Sequence, residues 1–64
     1  MADYTRDVYK ELTDNGCTFV RRGKGDHNVY YSPITNQTFG VDGKIKKRNS
    51  ANGVMKLAGI NRKF

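Results

Sequence analysis

This sequence of 64 residues has one cysteine, one histidine and one proline. The single Cys17 excludes an internal disulfide framework and a cysteine-based metal site, and the lack of a charged-then-apolar leader points to the reducing cytoplasm. One histidine among scattered carboxylates shows no metal-ligand spacing, so neither a metal nor a cofactor is expected. No apolar run approaches the roughly 20 residues of a membrane span, so no membrane partner is expected. Repeats, low-complexity tracts and linkers are also missing, and residues 1–64 read as a single domain. A chain this short buries only about 60% of its unfolded surface. Its core is thin, and any chemistry has to sit on an open face with few residues.

Acidic residues are scarce in the later part of the chain. Residues 1–16 carry Arg6 and Lys10 against Asp3, Asp7, Glu11 and Asp14, a net of −2. Residues 17–64 carry ten basic residues against only Asp26 and Asp42, a net of +8. With a total of +6 and a pI near 9.8, the later part is suited to a polyanion, although such a charge also serves simply to keep a small basic domain in solution.

The stretch YTRDVYKELTDNG reads as a helix. Asp3 can cap it, Tyr4, Val8 and Leu12 recur at i, i+4 and i+8, and Gly16 follows Asn15 as the stop. CTFVRR (17–22), HNVYYS (27–32) and TFGV (38–41) read as strands, separated by a glycine turn and by the turn-forming PITNQ. Short connections make them an antiparallel meander. Alternation puts Cys17, Phe19, Val29, Tyr31, Phe39 and Val41 on one covered face. KIKKRN (44–49) reads as a polar, basic connection. SANGVMKLAGI then predicts a second helix, with Ser50 as cap, Val54, Leu57 and Ala58 inward, and Gly59 as stop. Gly53 weakens it by roughly 1 kcal/mol relative to alanine. The fold class is α+β, in the order α-β-β-β-α, a three-stranded antiparallel sheet with two helices on one face. The other sheet face, the glycine turn and the basic connection are left open.

Three features could carry function. His27 follows the turn GKGD and is the side chain best able to exchange protons near neutral pH. RNA cleavage needs a base for the ribose 2′-hydroxyl, an acid for the leaving 5′-oxygen and cations for the phosphate. Arg21, Arg22 and Lys24 lie just before the histidine, and Gly23 and Gly25 let a backbone approach a phosphate closely. Asp26 adjoins His27, but neighbouring strand residues point to opposite faces, so it is a poor orienter. The second feature is Lys44, Lys46, Lys47 and Arg48, which would grip phosphates ahead of the Ala51 and Asn52 amides. Such runs are also ordinary solvated loops. The third is Tyr30 and Tyr31, one of which must point inward while the other could stack a base.

The order helix, NG, FVRRGKGDH, apolar strand, turn, strand, basic connection and closing MKLAGI resembles the HicA toxins from about Tyr4 to Ile60. The most specific part is Arg21 to His27, and Lys56 to Ile60 is similar to the family's terminal pattern. The resemblance implies a double-stranded-RNA-binding-domain-like fold, metal-independent cleavage of messenger RNA and inhibition by a HicB antitoxin that covers the histidine. It makes His27 the catalytic residue and Gly25 the motif glycine.

Two functions remain open at this level. One is a ribonuclease toxin in which His27 transfers protons while Arg22, Lys24, Gly25, Lys46, Lys47 and Arg48 hold RNA. The other is a basic module that binds RNA or an acidic protein without chemistry. In either case the chain alone is expected to be a monomer, and the toxin would form a hetero-oligomer with its antitoxin.

Overall fold

The computed structural model describes residues 3–64. Helix α1 (Thr5–Asp14) buries Val8 and Leu12 completely, as their spacing requires. The Asp3 carboxylate accepts the Thr5 N–H at 3.0 Å. Hydrogen bonds from Thr5, and behind them the Lys46 cation, hold the Asp3 carboxyl below its ordinary range. At the far end, Gly16 adopts φ 83°. Its N–H reaches Thr13 O and the Cys17 N–H reaches Leu12 O, which satisfies two orphan carbonyls. Helix α2 (Arg48–Ala58) ends the same way, with Gly59 at φ 75° and Ile60 N–H on Met55 O. Cys17 and Ile60 then turn straight into the core.

The start of α2 differs from the expectation. The helix begins at Arg48, two residues before Ser50, with Lys47 at the cap position and no side-chain cap. The Ala51 N–H therefore donates to Lys47 O at 3.1 Å and is not free to meet a phosphate. This phase turns Ala51, Val54, Met55 and Ala58 inward and leaves Leu57, expected in the core, 56% exposed. The basic connection is not wholly polar either. Ile45 is buried, its N–H donates to Thr5 Oγ1 at 2.7 Å, and its carbonyl accepts the Tyr4 N–H at 2.8 Å.

Strands β1 (Thr18–Arg22), β2 (His27–Ser32) and β3 (Gln37–Asp42) form one antiparallel sheet in the order β1-β2-β3. Together with the helices they give the expected α+β order. A bulge between Phe19 and Arg21 leaves Val20 unpaired. Directly opposed residues share a face. Asn28, Tyr30 and Ser32 thus lie with buried Val41 and Phe39 on the helix side, while His27, Val29 and Tyr31 lie with Asp42, Gly40 and Thr38 on the open side.

This corrects the expected placement of Val29 and Tyr31 on the covered face. The polar residues tolerate the helix side because each finds a partner there. Asn28 Nδ2 donates to the Tyr9 hydroxyl at 3.0 Å, and Ser32 Oγ donates to Ala58 O at 2.6 Å. Phe19 shares that side and packs its ring edge-on against Tyr30 at 5.9 Å, yet it is 54% exposed.

Ser32 ties the β2 end to the α2 end and also accepts the Ile34 N–H at 3.2 Å. Ser32→Ala leaves the Ala58 carbonyl buried without this donor. It is expected to lower stability by about 1–3 kcal/mol, measured by urea unfolding.

Candidate functional site

His27 opens β2 and Asp42 closes β3, and the register places them directly opposite each other on the open face. His27 Nδ1 lies 2.7 Å from Asp42 Oδ1. A carboxylate accepts only, so this contact assigns the imidazole proton to Nδ1 and leaves the Nε2 lone pair free in the neutral ring. The pair therefore has the elements of a general base: an acceptor nitrogen, a fixed tautomer and a negative charge to stabilise the imidazolium. Both side chains are a little over half exposed.

The floor beside the pair is low. Gly23 donates its N–H to His27 O at 2.8 Å, closing the hairpin. A Cβ at Gly23 would lie 3.5 Å from both His27 Cβ and Val29 Cγ2, whereas one at Gly40, across from Val29, would meet nothing within 4 Å. Two glycines thus flank Val29 and leave an approach to the imidazole. The turn before His27 carries φ 64° at Gly25 and a 3.3 Å bond from His27 N–H to Lys24 O. It packs against the start of the basic connection. A Cβ at Gly43 would stand 2.6 Å from Asp26 O, so only glycine fits there without moving backbone.

The expected site residues are only partly gathered. Lys24 and Gly25 share the turn with His27. Arg22 pairs with Asn28 and therefore belongs to the helix side, while Arg21 pairs with Val29 and shares the open face with His27. Lys46 lies close enough to Asp3 to act on its carboxyl, near the start of α1. Lys47 and Arg48 begin α2, whose first turn reaches the Asp42 end of the sheet: Ser50 and Asp42 line one groove. Of the two tyrosines, Tyr30 points inward. Tyr31 lies on the open side, with its hydroxyl donating to Asn36 Oδ1 at 2.9 Å.

Asp42 is the member of the candidate site that sequence reading missed, because Asp42-Gly43 reads as a turn. The available signal was the register. Counting outward from the 33–36 turn brings residue 27 opposite residue 42. Tyr9 was missed as well. Its hydroxyl donates to Asp42 O at 2.8 Å and accepts from Asn28, which fixes the end of β3 against α1.

Under the sheet, Tyr30 packs between Tyr9 and Phe19, with ring centroids 5.6 and 5.9 Å away. Desolvation, and after it the neighbouring Tyr9 phenol, pushes the Tyr30 phenol above its ordinary value. The contribution of neutral Tyr30 to stability is therefore complete below pH 10 and is lost as pH rises through the raised value. An alkaline titration followed by NMR is expected to show Tyr30 ionising after a tyrosine in the unfolded chain.

Among the described residues, no three His, Cys, Asp or Glu side chains cluster as metal ligands, and no helix is long and apolar enough to cross a membrane. No protein-family model matches the chain, and no curated protein or solved structure matches it either.

Proposed function

We propose that this chain is a metal-independent endoribonuclease that cleaves messenger RNA, the cytoplasmic toxin of a toxin–antitoxin pair held in check by a HicB-like protein. The observation that carries the reading is the His27–Asp42 pair on an open, glycine-floored sheet face in the basic part of the chain. His27 Nε2 takes the proton of a ribose 2′-hydroxyl, and the 2′-oxygen attacks the adjacent phosphorus. The bond to the 5′-oxygen breaks, and that oxygen leaves with a proton from solvent. The products are a 2′,3′-cyclic phosphate and a free 5′-hydroxyl. Asp42 holds the imidazole and stabilises its charged form. Arg21 and Lys24 stabilise charge on the phosphate, while Lys46, Lys47 and Arg48 hold the RNA backbone further along. The resemblance of the segment from Arg21 to His27 to the HicA toxins supports the same assignment.

One observation favours the second reading, a basic module that binds RNA without cutting it. Both members of the pair are exposed, so water and salt screen the hold of the carboxylate on the imidazole. The deciding experiment incubates a long labelled RNA with the purified chain in EDTA, beside a folded His27→Ala control. Cutting by the wild type alone, with cyclic phosphate ends, supports the nuclease. Salt-dependent binding by both proteins without cutting supports the module.

A further inference from the structure

The outer edge of β3 is open. The bond from Gly23 N–H to His27 O fixes the alternation along β2, so the backbone groups of Asn28, Tyr30 and Ser32 turn toward Val41, Phe39 and Gln37. Those of Thr38 and Gly40 then point away from the sheet, and no further strand of the described chain pairs with them. Beside this edge runs a groove of about 680 Å³ between β3 and α2. Gln37 and Asp42 mark its ends on β3, and Ser50, Gly53, Val54 and Leu57 form its wall on one stripe of α2. The wall is recessed at Gly53, where a Cβ would touch nothing within 4 Å, and apolar at Leu57, which is more than half exposed.

We propose that this groove receives an extended acidic segment of a partner protein, which joins the sheet as a fourth strand. Three features select that occupant. Outward N–H and C=O groups at strand spacing are matched by another polypeptide backbone and not by a phosphate chain. Six residues of β3 extend about 20 Å, enough to pair a short strand whose alternate apolar side chains contact Val54 and Leu57. The charge is complementary: Lys56 stands on the groove wall, Lys47 and Arg48 begin the helix whose Ser50 lines the groove, and none of the three is in an ion pair among the described residues. A second copy would bring another +6 to the same edge, which disfavours self-pairing. The inference stands on the edge and the groove and holds whether or not the chain cuts RNA.

The test titrates the isotopically labelled full chain with two synthetic peptides of alternating threonine and valine, one flanked by glutamates and the other by lysines. The acidic peptide is expected to shift the Thr38 and Gly40 amides and slow their hydrogen exchange, and the basic peptide to do neither. Thr38→Pro removes an outward N–H without breaking the ladder to β2, and Leu57→Glu puts a repelling charge on the wall. Each is expected to weaken binding by about tenfold or more, with a dispersed spectrum showing that the variant is folded. The proposal is overturned if the acidic peptide moves neither amide at millimolar concentration, if both peptides bind alike, or if neither substitution matters. It is also overturned if single-stranded RNA or self-association, rather than the peptide, protects these two amides.

Discussion

Replacing His27 with alanine is expected to lower RNA cleavage by roughly a hundredfold to ten-thousandfold, the usual contribution of a positioned proton-transfer group. RNA affinity and folding should be nearly unchanged. The side chain is more than half exposed and lies outside the buried cluster, so its removal opens no cavity. A cross-strand pair of this kind contributes only about 0.2–1 kcal/mol to stability. Asp42→Asn keeps the shape and removes the charge that selects the tautomer. On the proposed mechanism it should cost roughly ten- to a hundredfold, because an exposed carboxylate orients less strongly than a buried one.

The two effects should not add, since Asp42 acts only through His27. The double variant is expected to be no slower than His27→Ala alone. Nitrogen NMR of the imidazole supplies a readout that a merely structural role would not move: the proton sits on Nδ1 in the wild type and redistributes toward Nε2 in Asp42→Asn. Cleavage that survives His27→Ala would end the nuclease mechanism. An Asp42→Asn variant with full activity and an unchanged tautomer would remove Asp42 from it.

The elements themselves were legible in the sequence because local signals agree with the fold. Tyr4, Val8 and Leu12 mark one face of α1, Gly16 and Gly59 stop the helices in left-handed conformations, and Gly25 turns the hairpin. His27 was legible because it is the only histidine and follows that turn. What failed was the placement of strand residues by polarity. Ser32 and Asn28 look like surface residues, yet they face the helices because α2 offers a carbonyl and α1 a hydroxyl. The bulge at Val20 shifts the alternation after Phe19, so that Arg21 and not Arg22 shares the open face with His27. Asp42 was hidden for a related reason. A pairing across a sheet is set by register, and a single aspartate before a glycine carries the same local signal whether it ends a strand or forms a turn.

Ile45→Ala is expected to cost about 2–5 kcal/mol, the usual range for truncating a buried isoleucine. A domain of this length has a total stability of only about 3–10 kcal/mol, so the loss is a large fraction of it. At roughly 4–8 °C per kcal/mol, the melting temperature should fall by about 10 °C or more. The residue sits in KIKKRN, which polarity alone assigns to solvent. In the structure, however, it is an anchor. Its side chain joins the buried core cluster, and its backbone is bonded to Tyr4 and Thr5. The charged side chains on either side can remain exposed because this single residue holds the segment against α1. Leu57→Ala is the matched control. Leucine in a helix predicts burial, yet this one is exposed, and its truncation should change stability by no more than about 0.5 kcal/mol. Thermal unfolding of the two variants side by side decides the point, since a polar connection and a buried Leu57 would reverse their order. On the proposed function, loss of the anchor should also weaken RNA binding more than any single lysine substitution, because Lys44, Lys46 and Lys47 are carried together by the segment that Ile45 holds down.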